Sequence, residues 1–514
     1  MRRIVVIAVV LAACTACGAG PSTRPDVAVV QHQLGVAGAT TTSAAPENPA
    51  PPIEMPKSDL SWSDCTRSTL DRMHLGAGPA GLKLQCASVD VELDPGNSLQ
   101  SFSLDALRAS TPATPGDAAP VVLAAGTDRP ATDALAQLAT GPHAAILRSH
   151  PVVALDRRGI GGSGTLDCLT SAQRASLTTL ADPTAPAMTQ ALSVLDTSKA
   201  ATVACTDQIS PAEQGFDALH AASDLDTLRR RWGVDRLALL TTGDGAAVAL
   251  TYAAKVPNGL SRLVLDSPAP SNADALTAAE QRIQGEEAAL TAFVAQCASP
   301  GCPLGADPRA AVTDLLGRAR AGTLPSVSVG ALLTTIAQRL ADPTTAWADR
   351  VTGLADLLAR AGHDDPDALH TIASAVALTD GQFVAQCSDA PASPGAQRAV
   401  GVEPSWSSRY PDFGDYGMGR MLTCGAWPAH AAPPLPSTLP IPVLMLGGAA
   451  DPVVGRGGPQ SLATALNRVG TKTATVSWQG AGHPVLWNSD CAGTVVGRYL
   501  DSGALPAGGT ACPA

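Results

Sequence analysis

The sequence is poor in aromatic residues and has no excess of basic ones. Only 3% of its 514 residues are Phe, Trp or Tyr, and 34 Lys and Arg stand against 45 Asp and Glu, which gives a net charge of −11. A chain this acidic lacks the basic surface of a nucleic-acid-binding protein. It also lacks collagen or coiled-coil repeats and the long apolar runs of a multi-span membrane protein. The composition therefore indicates a globular protein, and its length allows a sizeable core.

The N-terminus has the features of an export signal. Two arginines follow Met1, and the apolar stretch Ile4–Ala13 after them is too short to cross a bilayer. It leads into Leu11-Ala12-Ala13-Cys14, which is typical of a bacterial lipoprotein signal. We therefore expect residues 1–13 to be a signal peptide and Cys14 to carry lipid that anchors the protein on the extracytoplasmic face of the cell membrane. An ordinary secretory signal, or lipid on Cys17, is the alternative.

The cysteines beyond this segment lack the spacing of a metal site. No C-x-x-C and no closely spaced His–Cys pair occurs there, so we expect no metal site. We expect no cofactor either. An even number of cysteines in an exported chain is typical of disulfides. Sequence alone leaves the connectivity open, and we expect neighbours to pair: Cys65–Cys86, Cys168–Cys205, Cys297–Cys302, Cys387–Cys424 and Cys491–Cys512.

Short apolar runs alternate with segments of helical periodicity over most of the chain. Strands are predicted at 82–92, 120–125, 151–155, 236–241, 260–265, 442–446 and 473–478, and helices at 215–232, 246–255 and 461–469. Repeated strand–helix–strand units are typical of a parallel sheet. From 267 to 435 the strand signal nearly vanishes. We therefore predict a disordered tether at 14–58, an α/β core at 59–266 and 436–514, and a helical cap at 267–435.

Three predicted strands end in residues suited to catalysis. In open α/β sheets, functional residues lie at the carboxyl ends of the strands. Asp451 follows one strand and His483 follows the next. The third end, at 239–246, is a sharp strand-to-helix turn of the kind that carries a nucleophile, and the chain order nucleophile, acid, histidine is that of a hydrolytic triad. We therefore expect Asp451 and His483 to face each other.

Several motifs carry a family resemblance. Asp156–Ser163 resembles the D-Q-R-G-x-G-x-S loop of a known family, and Ala385–Asp389 and Cys424–Pro428 resemble two segments of that family's cap. The tail from Gly482 to Cys512 resembles its C-terminal region. The family that these four segments resemble is the exported tripeptidyl-aminopeptidase-like (TAP-like) family of high-GC bacteria. The resemblance runs from about Ser61 to Cys512. It implies an α/β-hydrolase fold, a mostly parallel sheet flanked by helices with a helical cap insertion, and a serine peptidase activity.

The nucleophile and the oxyanion loop depart from that family. Its turn reads G-x-S-x-G, whereas this chain has Thr241-Thr242-Gly243-Asp244-Gly245, with Gly243 at the serine position. No Ser in the chain has Gly at both −2 and +2. The family's H-G-G-P-G-like loop is replaced by residues 124–128, and a carboxylate at Asp128 would oppose a developing oxyanion if it pointed inward. The acid and the base are therefore retained, while the nucleophile is lost.

Other residues could supply a nucleophile. A shift of one residue would place Asp244 at the tip of the turn, where an aspartate could attack an alkyl carbon and form an ester. This shift breaks the match at Gly245. Ser163 and Ser267 also lie near strand ends, but neither sits on a strand-to-helix turn, and Ser163 is better suited to a backbone hydrogen bond.

Three functions are consistent with this sequence. The first is an inert hydrolase fold that binds a peptide, an acyl compound or another small molecule of the cell envelope between core and cap. The second is a working TAP-like peptidase or esterase that uses an unorthodox nucleophile or a water activated by His483. The third is a hydrolase with Asp244 as nucleophile. The membrane, through the lipid anchor, is the other expected partner, and nucleic acid is not.

Overall fold

The computed structural model describes residues 50–94, 97–428 and 432–514. The predicted signal peptide, Cys14 and most of the predicted tether lie outside these ranges. The strands are β1 (Ser63–Asp64), β2 (Lys83–Asp94), β3 (Asn97–Ser110), β4 (Val121–Ala124), β5 (Val152–Leu155), β6 (Leu237–Thr242), β7 (Leu260–Asp266), β8 (Val443–Ala450), β9 (Thr473–Ala481) and β10 (Ala511–Cys512).

The helices fall between the strands and in the cap. They are α1 (Thr66–Arg72), α2 (Ala131–Thr140), α3 (Ser171–Thr179), α4 (Ala187–Ile209), α5 (Ala218–Trp232), α6 (Gly245–Lys255), α7 (Ala275–Cys297), α8 (Pro308–Arg320), α9 (Val329–Ala341), α10 (Trp347–Gly362), α11 (Pro366–Ala373), α12 (Asp380–Asp389), α13 (Ala396–Arg409), α14 (Gly414–Arg420), α15 (Gly458–Arg468) and α16 (Asp490–Ser502).

A mostly parallel sheet forms the centre of the molecule. Its strand order is β1-β2-β3-β5-β4-β6-β7-β8-β9-β10. The pairs from β5 to β10 are parallel, and the pairs among β1, β2, β3 and β5 are antiparallel. Strands β4 to β7 are buried along their whole length because helices cover both faces, which is why they appear in the sequence as continuous apolar runs. The predicted α/β architecture is therefore confirmed.

Strand β3 was missed by the sequence analysis. It pairs with β2 in antiparallel register, Leu104 opposite Val89 and Ala106 opposite Ala87. Leu104 and Ala106 are buried on one face while Leu107 and Ala109 are buried on the other. Apolar and polar residues alternate through Phe102, Leu104 and Ala106, as in a half-buried strand. The alternation ends after position 106, because residues on both faces of the strand are buried there.

The cap is larger than the predicted range 267–435. Helices α7 to α14 fall within that range, yet the same hydrophobic cluster also contains Leu180, directly after α3, and Ala191 and Val194 of α4, which lie between β5 and α5 in the sequence. That cluster includes Ile283 and Leu332 of the predicted cap. The cap is therefore assembled from two separate insertions into the sheet.

Helix α12 connects the cap to loops of the core. The Gln382 side-chain amide donates a hydrogen bond of 2.7 Å to the carbonyl oxygen of Asp128. Arg157, in the loop after β5, forms an ion pair with Asp389 at the other end of α12. A Cβ on Gly381 would overlap the carbonyl oxygen of Gly159, so the helix backbone lies directly on that loop. These contacts hold α12 at both ends against the core.

The five disulfides expected from the sequence are present with the expected partners. Cys168–Cys205 joins the loop after β5 to α4, and Cys387–Cys424 joins α12 to the segment after α14. Cys491–Cys512 ties α16 to the last strand. The disulfides thus secure both the cap insertions and the C-terminal tail.

Residues 50–58, the end of the predicted tether, lie against the core. The Lys57 amide donates to the carbonyl oxygen of Trp232 at 2.8 Å, and Arg262 donates to the carbonyl oxygen of Pro51 at 2.6 Å.

In the described part of the chain, none of the helices combines the length and apolarity needed to cross a bilayer.

Candidate active site

The turn between β6 and α6 is a nucleophile elbow with glycine at its tip. Gly243 has a left-handed backbone, φ +56°, which glycine adopts without the strain that a side chain would bring. Its amide donates to the carbonyl oxygen of Asp266 at 3.1 Å, and its carbonyl accepts from Ala269 at 3.1 Å. A Cβ on Gly245 would collide with the carbonyl oxygens of Ala124 and Ala125, so the elbow packs tightly on the end of β4.

Asp451 and His483 meet as an acid–histidine pair. Nδ1 of His483 lies 2.8 Å from Oδ2 of Asp451, and both side chains are fully buried. The other carboxylate oxygen accepts from the amides of Val453 and Val454, at 2.9 and 3.1 Å. Burial opposes a charge on the imidazole, but the Asp451 carboxylate and, to a lesser degree, Asp128 outweigh it and raise the pKa of His483.

Asp266 fixes the loop that carries the histidine, and sequence reasoning missed it. This fully buried carboxylate at the end of β7 accepts hydrogen bonds from the amides of Val485 and Leu486, at 2.9 and 2.8 Å. Burial raises the pKa of Asp266 to about 6, against the effect of these hydrogen bonds. The only available signal was an acid at the end of the buried strand β7, which in the sequence directly precedes the strand that leads to Asp451.

The imidazole faces Gly243 and a second carboxylate. A Cβ on Gly243 would lie 3.6 Å from Nε2 of His483 and 3.8 Å from Oδ1 of Asp128. Both of these buried atoms are without a hydrogen-bond partner among the described residues. Asp128 also forms an ion pair of 2.8 Å with Arg129. Burial opposes its ionisation, yet Arg129 and His483 together hold the pKa of Asp128 below its ordinary value.

The oxyanion loop is occupied by the elbow itself. The Thr127 amide donates to Oδ1 of Asp244 at 2.7 Å, and the Thr127 hydroxyl donates to Oδ2 at 2.6 Å. The Gly126 amide donates to the Thr242 hydroxyl at 3.3 Å. An oxyanion hole needs free N–H groups aimed at the developing charge. Two amides of the loop are therefore already satisfied, and one of them is bound to a carboxylate.

The structure does not bring Asp244 to the histidine. Both of its carboxylate oxygens are held by Thr127, so its side chain is turned to the oxyanion loop. Ser163 accepts a hydrogen bond from the Asp105 amide at 2.7 Å, and the Ser267 hydroxyl donates to Asp266 at 3.0 Å. Of the predicted site residues, Gly243, Asp451 and His483 lie together. Asp244, Ser163 and Ser267 form hydrogen bonds elsewhere.

A cavity of about 980 Å³ lies between the elbow and the cap. Asp128 and Asp244 line it on the core side, and Arg282, Tyr416 and Arg420 line it on the cap side. His483 is fully buried and does not contribute to its wall.

Within residues 50–94, 97–428 and 432–514, no group of three or more His, Cys, Asp or Glu side chains is arranged to hold a metal ion.

The strand order, the elbow and the acid–histidine pair at successive strand ends define an α/β-hydrolase fold. The family model described as TAP-like protein matches residues 410–512. The serine protease Hip1 of Mycobacterium tuberculosis and that of Mycobacterium bovis are each 25% identical over 334 residues, 57% of this chain and 61% of the relative. The chain thus matches less than two thirds of the length of these relatives.

Among solved structures, proline iminopeptidase of Mycobacterium smegmatis matches with a TM-score of 0.35 and 16% identity, over 80% of this chain and 97% of that one. The esterase E22 matches with a TM-score of 0.37 and 11% identity, over 82% and 100%. The chain thus has an α/β-hydrolase fold, its C-terminal part is similar to the TAP-like family, and its curated relatives are serine proteases.

Proposed function

We propose that this protein is a catalytically impaired TAP-like hydrolase that binds a peptide or acyl ligand in the cavity between core and cap. The observation that carries the proposal is Gly243 at the tip of the elbow, facing Nε2 of His483 with no hydroxyl to activate. Loss of a triad nucleophile costs orders of magnitude in rate, even where binding and other devices persist.

Two further features support impairment. The Thr127 amide of the oxyanion loop is bound to Asp244 at 2.7 Å and is not free to bind an anion. The Asp128 carboxylate lies beside the position of the missing hydroxyl and would repel a tetrahedral oxyanion. Restoring the serine alone would therefore leave the site without a free Thr127 amide and with the Asp128 carboxylate in place.

A serine-directed fluorophosphonate tests the proposal. The purified protein should remain unlabelled above the level of a heat-denatured sample, because an activated serine Oγ is required for the reaction. A His483→Ala variant serves as the matched control. Labelling of the unmodified protein that His483→Ala abolishes would contradict the proposal and indicate a serine that His483 activates.

A water-based hydrolase is the second candidate, because Nε2 of His483 and Oδ1 of Asp128 both face the same point and have no hydrogen-bond partner among the described residues. A water held there could act as nucleophile with His483 as base. The raised pKa of His483 counts against this role, since it favours the protonated imidazole, which cannot accept a proton. Hydrolysis of a peptide or ester that is lost in both His483→Gln and Asp128→Asn, but retained in Ser163→Ala, would favour it.

We place the protein on the extracytoplasmic face of the membrane, anchored by lipid on Cys14. The sequence Leu11-Ala12-Ala13-Cys14 and the five disulfides support export to an oxidising compartment. Stable anchoring takes more than one acyl chain. Cys14→Ala should release the protein from the membrane fraction, with Cys17→Ala as control; a Cys14→Ala protein that stays in that fraction would contradict the assignment.

A further inference from the structure

Two guanidinium groups share one carboxylate in the cap wall of the cavity. Arg420 forms a bidentate ion pair with Glu286, with N–O distances of 2.7 and 2.8 Å. Arg282, one turn before Glu286 on α7, reaches the same carboxylate through Nε at 3.3 Å. Both arginines line the cavity, whereas Glu286 is fully buried behind them. The cluster therefore presents two cations and hides their counter-ion.

The packing of two helices brings this cluster together. Gly417 of α14 lies against the Ile283 side chain of α7, where a Cβ on Gly417 would overlap it. This close approach places Arg420, one turn after Gly417, beside Arg282, the neighbour of Ile283. The guanidinium of Arg420 also lies over the Tyr416 ring, 5.4 Å from its centroid. Arg420 is thus held in place by its ion pair and by a cation–π contact.

Arg282 has hydrogen-bonding capacity left over. Among the described residues it is bonded only through Nε, so its terminal nitrogens are available to the cavity. Its side chain is 36% exposed, against 18% for Arg420. Burial and the adjacent Arg420 lower the pKa of Arg282, the effect expected where two cations have one carboxylate between them. One positive charge at this wall is therefore uncompensated.

The cluster lies close to the candidate active site. A Cβ on Gly285 of α7 would overlap the carbonyl oxygen of Asp451, so the helix that carries Arg282 lies directly on the loop of the catalytic acid. Pro452 and Val453 of that loop line the cavity together with Ala278 of α7. A ligand bound at Arg282 would lie along this apolar wall towards the elbow.

We infer that Arg282 and Arg420 form an anion subsite that binds the carboxylate or phosphate group of a ligand with an apolar body. Guanidinium groups bind such oxyanions through paired, charge-assisted hydrogen bonds, and a partly buried setting strengthens them. This inference rests on the proposed ligand-binding function and names the charge of the ligand. It does not depend on whether the elbow is catalytic.

Calorimetric titration of the full chain in nanodiscs, with empty nanodiscs as background, tests the subsite. The probes are N-acetyl-leucyl-leucine, its C-terminal amide and butyl phosphate. The acid should bind about tenfold or more tightly than the amide, the ratio for one charge-assisted hydrogen bond. In Arg282→Gln this preference should vanish while the amide binds as before. Arg339→Gln removes another exposed arginine of the same cavity and is the matched control.

Arg282→Gln leaves the Arg420–Glu286 pair intact, so the variant should fold, and its thermal unfolding checks this. If butyl phosphate binds the unmodified protein but not Arg282→Gln, the subsite is supported and phosphate is the source of the anion. Equal affinity for acid and amide without butyl phosphate binding, or a preference for the acid that survives Arg282→Gln, would overturn it. No binding of any probe would overturn both this inference and the proposed ligand-binding function. Fluorophosphonate labelling would overturn the proposed impairment and leave the subsite standing.

Discussion

Placing a serine at the elbow should not by itself restore a reactive nucleophile. In Gly243→Ser, the new Cβ would lie 3.6 Å from Nε2 of His483 and 3.8 Å from Asp128, so nothing obstructs it. The hydroxyl, one bond further, comes within the ~2.6–3.2 Å at which a base can accept its proton. The cost is in the backbone, because a φ of +56° destabilises a residue with a side chain by about 1–2 kcal/mol.

The oxyanion loop limits the rate of the single variant. The Thr127 amide is bound to Asp244 at 2.7 Å and cannot stabilise the anion that forms on the probe. One missing donor of this kind costs roughly 10²–10³ in rate. The double variant Gly243→Ser/Asp244→Ala frees that amide, and we expect it to react with a fluorophosphonate about 100-fold faster than Gly243→Ser. Gly243→Ser/Asp244→Asn is the matched control, since an asparagine oxygen still accepts from Thr127.

The assay measures second-order labelling rate constants, and peptide mapping must place the label at position 243. Chemical denaturation of each variant checks that all three remain folded. Equal rates for Gly243→Ser and Gly243→Ser/Asp244→Ala would refute the role assigned to the Thr127–Asp244 contact. A folded double variant that reacts no faster than free serine would refute the geometry assigned to the elbow and the histidine.

Three further measurements test the charges and the disulfides. Asp128→Asn removes a carboxylate that raises the pKa of His483, so the imidazole should titrate at lower pH in proton NMR; an unchanged pKa would contradict the proximity. Burial raises the pKa of Asp156 to about 7. The folded protein therefore holds the proton of Asp156 more tightly than the unfolded chain does. The free energy of unfolding should accordingly fall as pH rises from about 4 to 7, by up to ~1.4 kcal/mol per pH unit. Asp156→Asn should flatten this slope in denaturant titrations, and an unaltered slope would exclude Asp156 as its source. Cys491→Ser/Cys512→Ser removes a disulfide over a separation of 21 residues and should lower the free energy of unfolding by about 3 kcal/mol; an unchanged denaturation midpoint would contradict this.

The sequence predicted those features that depend on local pattern. The inner parallel strands were recognisable because they are buried on both faces, and Asp451, His483 and Gly243 followed from their places at strand ends. The five disulfide pairs coincide with neighbours in sequence. These features need only the chain order and the period of the apolar residues.

Contacts between distant segments could not be predicted in the same way. The contact of Asp244 with Thr127 joins residues 117 positions apart, and Asp266 reaches Val485 across 219. Which way such a side chain points depends on neighbouring strands whose register is set only in the folded sheet. The recruitment of α3 and α4 to the cap has the same origin, because their apolar faces find partners more than a hundred residues away.

The attachment of α12 to the core has a kinetic consequence. Gln382 binds the backbone of the oxyanion loop, Asp389 pairs with Arg157, and Gly381 leaves no room above Gly159. A rigid-body swing of the cap would have to break all three contacts at once. Entry and exit of a ligand should therefore not require the cap to swing, so that no large conformational step slows association.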